Sequence, residues 1–304
     1  MRQIHKLCLL IASLCLWCFP QSANAWSSFV HELICEMAFL QLSPNAQKEV
    51  RRLSSGDNAA KGYRGFPESC VWADEVRSTT HIGTSEYHYT NVPRDAKGYD
   101  YEANCAAFDC VEQASIRYLK YLHNVKNFPD KRAEALRFLA HFVPDLHQPL
   151  HVGFGEDKGG NDLRVSYAPG FRPDNRLHGT WDGELPKRAG LLVTTKDRTR
   201  DRDRYVLAQE QVALISEEDR AQWSTPNIAQ WASESHELAR ACAYRIECDE
   251  SKDYLENGAT LSRQYWKAAQ PVVLRRVRMA SVRLAYYLEL ASSSEPLPSD
   301  LLAP

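Results

Sequence analysis

The stretch HFVPDLHQPLH, residues 141–151, decides the fold and most of the chemistry expected of this chain. His141 and Asp145 are four residues apart, and a second pair with the same spacing follows at His178 and Asp182. On a helix this spacing puts both side chains on one face, about 5–6 Å apart at Cβ. Each pair therefore offers an imidazole and a carboxylate to one cation.

The sequence around these pairs predicts an all-α, single-domain protein. No repeat or linker divides it, and one non-helical island at 153–173 carries the alternating residues 163–167, which suit a small β-hairpin. Apolar residues recur at spacings of three and four in the segments 29–54, 106–125, 130–147, 203–215, 226–246, 253–269 and 271–291.

Further nitrogen and oxygen donors lie near the two pairs. His151 follows Pro149, where a helix would end and turn another ligand back toward the site. Taken alone, Asp74 would be a helix cap or an ion-pair partner, and His88 a core histidine. One isolated H-x-x-x-D pair is usually a surface hydrogen bond. The combination of these donors, with no thiolate among them, instead favours zinc in a catalytic cluster.

The first 25 residues have the pattern of a signal peptide. Two basic residues precede an apolar run at 7–19, and Ala-Asn-Ala ends the segment at 23–25. The run is shorter than the roughly 20 residues that span a bilayer, so an uncleaved anchor is the weaker interpretation. Cleavage would make Trp26 the first residue. Its α-amine, with a pKa of about 7.7–8.0, could then bind a metal beside His31.

Charge and cysteine content fit an exported protein. Loss of the leader changes the formal net charge from −2 to −4, so no global basic field attracts polyanions. An even number of cysteines remains, which favours disulfides over zinc–thiolate sites. Short loops suggest two pairs, and the remaining two cysteines form the third: Cys105–Cys110, Cys242–Cys248 and Cys35–Cys70. We expect a secreted or periplasmic protein without a membrane anchor after cleavage.

Two arginine-rich segments are interpreted as solvated surfaces. The first alternates arginine with aspartate, so a charged face is favoured over a basic strip for nucleic acid. The second belongs to the last amphipathic helix and is expected on its outer face. The residues concerned are Arg198, Arg200, Arg202 and Arg204 in the first segment, and Arg275, Arg276, Arg278 and Arg283 in the second.

The ordered motifs W-x4-H, WADEVR, HYTNVP, HFVPDLHQPLH, GGN and LHGTWD resemble the zinc-dependent S1/P1 nucleases, which prefer single strands. The resemblance covers the mature chain. It implies a phospholipase C/nuclease-like fold, a domain at 26–291, a flexible tail at 292–304, and three Zn²⁺ at the bottom of a cleft. The implied ligands are Asp74, His88, His141 and Asp145 for the first zinc, His151, His178 and Asp182 for the second, and Trp26 (amine and carbonyl), His31 and the other oxygen of Asp145 for the third.

The resemblance also implies the reaction. A hydroxide between the first and third zincs attacks phosphorus, and the second zinc stabilises the departing 3′-oxygen. The substrates would be single-stranded RNA and DNA, cleaved to 5′-nucleotides, and 3′-nucleotides. Asp74, Arg77 and Asp145 would be catalytic, with Arg77 also facing the phosphate. Tyr89 would stack on a base and Asn91 would meet its edge. The alternatives are an ion pair for Arg77, core packing for Tyr89 and a turn for Asn91.

Three details of the resemblance bear on structure. Plant relatives pair the cysteines that correspond to Cys35 and Cys70. Pro144 replaces the usual glycine before Asp145, and a kink there would shift Asp145 relative to its partner four residues earlier. His147, two residues beyond Asp145, is expected to point away from the metals and to serve in their outer surroundings or at the surface.

Two other functions remain open. A zinc phospholipase C of similar fold normally closes its ligand set with H-x-x-x-E, whereas Asp182 closes it here. A non-catalytic zinc-storage protein would not need Arg77 or an aromatic ring beside the metals. No obligate protein partner is indicated.

Overall fold

The computed structural model describes residues 26–55, 65–107, 109–167, 175–192 and 200–301, with the side chains of 200–202 left out. The predicted signal peptide at 1–25 lies outside these residues, as does Arg198.

Helices build most of the described chain. Their bounds are α1 Ser28–Leu40, α2 Pro44–Ser54, α3 Phe66–Ser69, α4 Trp72–Val76, α5 Tyr101–Asn104, α6 Val111–His123, α7 Pro129–Leu146, α8 Leu177–Gly179, α9 Leu185–Arg188, α10 Arg200–Ala213, α11 Glu217–Trp223, α12 Ile228–Leu238 and α13 Arg263–Ser292. Short 3₁₀ turns occur at Ser85–His88, Pro149–Val152, Gly155–Asp157 and Ile246–Cys248, and π turns at Thr180–Glu184 and Ala239–Ala243. The mainly helical architecture predicted from the sequence is confirmed.

α7 runs through the core and carries two of the predicted ligands. It begins at Pro129, whose fixed φ suits the first helical position. Its second half is buried on all sides, and Phe138 and Phe142 stack on each other with ring centroids 5.3 Å apart. Packing against α6, α13, α2 and α1 removes this half from solvent. The ligand-bearing end of α7 is therefore held by the hydrophobic core.

The predicted hairpin is part of a three-stranded sheet. β1 (Arg164–Ser166) pairs antiparallel with β2 (Asn175–Arg176), as a hairpin would. β1 also pairs in parallel with β3 (Ala259–Thr260), in a register that sets Val165 opposite Ala259. The sequence analysis missed β3 because this two-residue strand lies inside a stretch with helical spacing.

The last two predicted helical segments, 253–269 and 271–291, correspond to one helix that starts at Arg263. Residues 253–262 are not helical, since α13 begins only after Ser262, whose side chain accepts a hydrogen bond from the Tyr265 amide. α13 then continues through Pro271 instead of breaking there. Pro271 is the ninth residue of α13, and it has no amide hydrogen to donate to the carbonyl four residues earlier. The two predicted segments therefore form one helix.

Three of the arginines assigned to solvated surfaces are buried, so that interpretation was wrong for them. Arg204 is 3 % exposed and pairs with three glutamates from α1 and α3. Arg276 and Arg283 are each 1 % exposed, and both pair with Glu234 of α12. A buried charge requires a partner, and here the partners are distant in sequence.

Disulfides join distant and neighbouring parts of the fold. The sulfur atoms of Cys35 and Cys70 lie within bonding distance and connect α1 to the residue after α3. The two short-loop pairs are also within bonding distance: Cys105 with Cys110, and Cys242 with Cys248.

The segment after α13 returns to the helical body at one point. Leu301 is buried, and its carbonyl accepts a hydrogen bond of 3.0 Å from the Ile228 amide at the start of α12. Within the described part of the chain, every helix is too short or too polar to cross a membrane.

Candidate metal centre

One cluster brings together four predicted ligands: Asp74 from α4, His88 from a 3₁₀ turn, and His141 and Asp145 from α7. Asp145 Oδ2 lies 2.9 Å from His88 Nδ1 and 3.2 Å from His141 Nε2. Asp74 Oδ1 lies 3.6 Å from His88 Nδ1 and 3.7 Å from His141 Nε2. Ligand atoms about 2.1 Å from a tetrahedral zinc are about 3.4 Å apart. The four atoms therefore have the spacing that one cation requires.

Pro144 does not separate the ligand pair on α7. The helix continues through it, and the contact between His141 and Asp145 is kept at 3.2 Å. The Pro144 carbonyl accepts hydrogen bonds of 2.9 Å from Trp26 Nε1 and from the His147 amide. The displacement of Asp145 expected from a kink is thus absent at this contact.

The ligands predicted for the third zinc lie near the other carboxylate oxygen of Asp145, Oδ1. His31 Nε2 lies 3.2 Å from Asp145 Oδ1, and both side chains are fully buried. Trp26 is also fully buried. The next residue, Ser27, donates a backbone hydrogen bond of 2.9 Å to the carbonyl of Asp182. The mature N-terminus predicted from the sequence would therefore begin among the candidate ligands.

A second cluster lies beside the first. His151, His178 and Asp182 offer ligand atoms that lie within 4.8 Å of one another. His178 Nε2 is 3.4 Å from Asp182 Oδ2, while Asp182 Oδ1 accepts a 2.7 Å hydrogen bond from Gln148 Nε2. The sequence analysis did not identify Gln148, although it lies within the decisive stretch. His151 Nδ1, 3.9 Å from Asp145 Oδ1, connects the two clusters.

Backbone carbonyls fix the tautomers of three candidate ligands. An imidazole that donates its Nδ1–H to a carbonyl presents a bare Nε2 to a metal. The Nδ1–carbonyl distances are 2.6–2.7 Å for His141 with Cys70, His151 with His88, and His178 with Gly159. These three histidines are therefore held in the form that binds a cation.

Buried polar atoms without a hydrogen-bond partner concentrate in the two clusters, and this tests whether a metal fits. Such atoms are rare in folded proteins, and each one costs about 1–3 kcal/mol. Among the described residues, those at the clusters are His31 Nδ1 and Nε2, Asp74 Oδ1, His88 Nε2, Asp145 Oδ1, His151 Nε2 and His178 Nε2. Cations would satisfy most of these atoms, so the donor set fits bound metal.

Burial and nearby charges shift the pKa values of the candidate ligands in different directions. Burial, with His141 nearby, lowers the pKa of His31 to about 4, and burial lowers the pKa of His178 to about 3. Burial also disfavours the His141 cation, but Asp145 and Asp74 outweigh it and raise its pKa to about 9. Burial raises the pKa of Asp182 well above its ordinary value. A divalent cation would favour neutral imidazoles and ionised carboxylates throughout.

Two glycines allow the loop after His151 to close over the second cluster. A Cβ on Gly159, which has a φ of +64°, would lie 2.4 Å from the carbonyl oxygen of Leu150. A Cβ on Gly153 would lie 2.7 Å from that same oxygen. Only glycine fits at such a close approach. This packing places the Gly159 carbonyl against His178 Nδ1.

The C-terminal end of α7 is clamped by buried side chains of α12 and α13. Arg276 Nε donates to the His147 carbonyl at 3.1 Å, and Arg283 Nη1 donates to His147 Nε2 at 3.1 Å. The hydroxyl of Ser235 donates to the Leu146 carbonyl. His147 is thus fully buried, which excludes the surface role and leaves it supporting the turn next to Asp145.

A cavity of about 410 Å³ opens onto both clusters. Arg77, Tyr89 and Asn91 line it together with His88, His151 and His178. Arg77 Nη1 lies 3.3 Å from Asp74 Oδ1, and Tyr89 is 37 % exposed. The predicted ligands and the predicted substrate-binding residues therefore share one site. Further lining residues that sequence reasoning missed are Ser78, Ser85, Leu150, Lys158 and Asn161.

Comparison with known proteins identifies the family. Residues 26–293 match the family model described as S1/P1 Nuclease. The chain belongs to the S1/P1 nuclease family. It is therefore a nuclease, a hydrolase that cleaves nucleic acid.

Individual relatives align over nearly their whole length. Endonuclease 1 of Arabidopsis thaliana is 29 % identical, covering 94 % of this chain and 93 % of that protein. Endonuclease 2 of the same plant is also 29 % identical, covering 93 % and 95 %. Nuclease S1 of Aspergillus oryzae is 24 % identical, covering 90 % and 94 %.

Proposed function

We propose that this protein is an extracytoplasmic, zinc-dependent nuclease that hydrolyses the 3′-O–P bond of single-stranded RNA and DNA and also acts on 3′-nucleotides. The concentration of unpartnered buried donor atoms beside a cavity lined by Arg77 and Tyr89 carries this proposal. Family membership supports the nuclease activity. Nitrogen and oxygen donors without thiolate suit zinc in catalytic sites.

Three zinc ions per chain account for the donor set. Asp74, His88, His141 and Asp145 would hold the first, and His151, His178 and Asp182 the second. His31, the other oxygen of Asp145 and the amine and carbonyl of Trp26 would hold the third. Bound zinc lowers the pKa of water to near neutrality and acts as a Lewis acid on phosphoryl oxygens. Because water is activated in this way, no separate general base is needed.

Protein side chains orient the substrate. Arg77 would donate to non-bridging phosphate oxygens, and its contact with Asp74 holds the guanidinium beside the first cluster. Tyr89 would stack on an unpaired base, an interaction worth about 1–3 kcal/mol. Asn91 both donates and accepts, so it would pair with the edge of that base. A base stacked within a duplex could not reach Tyr89, which would explain a preference for single strands.

The third zinc connects export to activity. Removal of the leader would free the Trp26 amine only after translocation, so the metal site would be completed outside the cytoplasm. The disulfides fit an oxidising compartment. Mass spectrometry of the exported protein tests this step, and the expected N-terminus is Trp26.

Hydrolysis assays on the purified mature protein test the proposed activity. Single-stranded RNA, single-stranded DNA, 3′-AMP and phosphatidylcholine are incubated separately, before and after chelation and after zinc is restored. The expected result is zinc-dependent release of 5′-nucleotides from the nucleic acids and of phosphate from 3′-AMP. Hydrolysis of phosphatidylcholine alone would contradict the proposal in favour of a phospholipase C. Retained zinc with no hydrolysis would instead indicate a zinc-storage protein.

A further inference from the structure

Lys158 lines the same cavity as the candidate catalytic residues. Among the described residues that line this cavity, Arg77 and Lys158 carry the permanent positive charges, and the lining contains no carboxylate. Arg77 lies beside the first cluster through its contact with Asp74. Lys158 precedes Gly159, whose carbonyl holds His178 of the second cluster. Arg77 therefore lies beside the first cluster, and Lys158 lies beside the second.

The backbone of Lys158 is fixed in place. The residue has a φ of +54°, and its amide donates to the Gly155 carbonyl at 3.1 Å. Its own carbonyl accepts a 2.8 Å hydrogen bond from Asn161 Nδ2. Such a left-handed conformation is uncommon for a residue with a side chain. The flexible lysine stem thus starts from a defined point beside the second cluster.

The ammonium group of Lys158 can change its ion-pair partner. Lys158 Nζ lies 3.0 Å from Asp162 Oδ2, but the two side chains are 74 % and 49 % exposed. An ion pair this exposed is screened by water and stabilises the protein little. A phosphate in the cavity can therefore replace Asp162 as the partner of the ammonium group.

We infer that Lys158 binds the 5′-phosphate of the nucleotide whose 3′-oxygen is released. This inference rests on the proposed function, because Tyr89 and the second cluster define the position of that nucleotide. Its 3′-phosphate is the group attacked beside Arg77. Its 5′-phosphate is the next negative charge along the strand, and Lys158 is the remaining cation of the cavity lining. The enzyme would then favour nucleotides within a strand over nucleotides that lack a 5′-phosphate.

A pair of dinucleotides isolates this contact. Adenylyl-adenosine is compared with the same molecule carrying a 5′-phosphate, and kcat/KM is measured for each. The wild-type enzyme should prefer the phosphorylated form, and Lys158→Ala should reduce the preference about five- to tenfold. Asp162→Asn should increase it, since the competing carboxylate is lost. Lys131→Ala, which alters an exposed lysine of α7 paired with Glu134, is the matched control and should leave the preference unchanged.

The inference would be overturned if Lys158→Ala lowered kcat/KM equally for both dinucleotides. It would also be overturned if Asp162→Asn did not raise the preference for the phosphorylated form. Products bearing a 3′-phosphate would contradict the proposed function instead. A second measurement does not need turnover. The affinity for a non-hydrolysable phosphorothioate strand is measured at several salt concentrations, and the slope of log K against log salt should fall in magnitude by about 0.7 in Lys158→Ala. An unchanged slope would show that Lys158 contacts no phosphate.

Discussion

The clamp on α7 gives a sharp stability prediction for Glu234→Gln. Glu234 is the shared carboxylate of two arginines that are each 1 % exposed. Its Oε2 accepts from Arg283 Nη1 at 2.6 Å and from Arg276 Nη1 at 3.1 Å, while Oε1 accepts from Arg283 Nη2 at 2.8 Å. Glutamine keeps one acceptor oxygen and turns an NH₂ group toward a guanidinium group. The variant therefore loses the negative charge and about two charge-assisted hydrogen bonds.

Each such hydrogen bond contributes about 1.5 kcal/mol, so the free energy of unfolding should fall by about 3 kcal/mol. Full burial would raise this cost, but Glu234 keeps 29 % of its side chain in solvent. Glu237→Gln on the same helix is the matched control. Glu237 is 48 % exposed and pairs with Arg240, which is 31 % exposed, so its loss should cost below about 1 kcal/mol.

Urea unfolding of both variants at neutral pH measures the difference. The chelator-treated protein is used so that metal binding does not mask the change, and the urea dependence should keep its slope. Equal losses in the two variants, within about 0.5 kcal/mol, would refute the reasoning that Glu234 neutralises the two buried arginines.

Three other predictions concern the site and its surroundings. Arg77→Ala should lower kcat on single-stranded RNA about 100-fold, measured by steady-state kinetics, because a donor to the transition state is lost; an unchanged kcat would leave Arg77 only its ion pair with Asp74. Chelation should lower the melting temperature in calorimetry, since zinc at about 1,000 times its Kd adds about 4 kcal/mol per site; equal melting temperatures would contradict this. Burial raises the pKa of Glu112, so the folded protein binds more protons than the unfolded chain above about pH 4.3, and stability should fall as pH rises from there through the folded pKa. Glu112→Gln should reduce this decline, measured by urea unfolding between about pH 4 and 7, and an unaltered decline would assign it to another group.

The sequence predicted the contacts within the two H-x-x-x-D pairs because the geometry of each pair is local. His141 and Asp145 share a helix face by spacing alone, and their distance of 3.2 Å follows from that face. The presence of Pro144 in the same turn does not alter it, since α7 continues through the proline. His178 and Asp182 have the same spacing in a helical stretch that contains a π turn, and they still lie 3.4 Å apart.

Long-range partners could not be predicted in this way. Arg276 and Arg283 have the spacing and charge of an outer helix face, yet α12 covers them with Glu234. No local sequence rule predicts the ion pairs of Glu234 with Arg276 and Arg283, which are 42 and 49 positions away along the chain. β3 was missed because it lies in a stretch with helical spacing, and its partner among the described strands, β1, is nearly one hundred residues earlier. No sequence pattern identified Lys158 as a site residue, apart from its position in a glycine-rich loop.

The proposed reaction requires that the clustered donors hold three zinc ions and that these ions are needed for cleavage. A zinc titration of the chelator-stripped mature protein tests this claim directly, with cleavage of single-stranded RNA followed at each addition. We expect activity to remain low at one zinc per chain and to reach its maximum at three, with 5′-nucleotides as products. Full activity at one zinc per chain, or full activity without zinc, would contradict it.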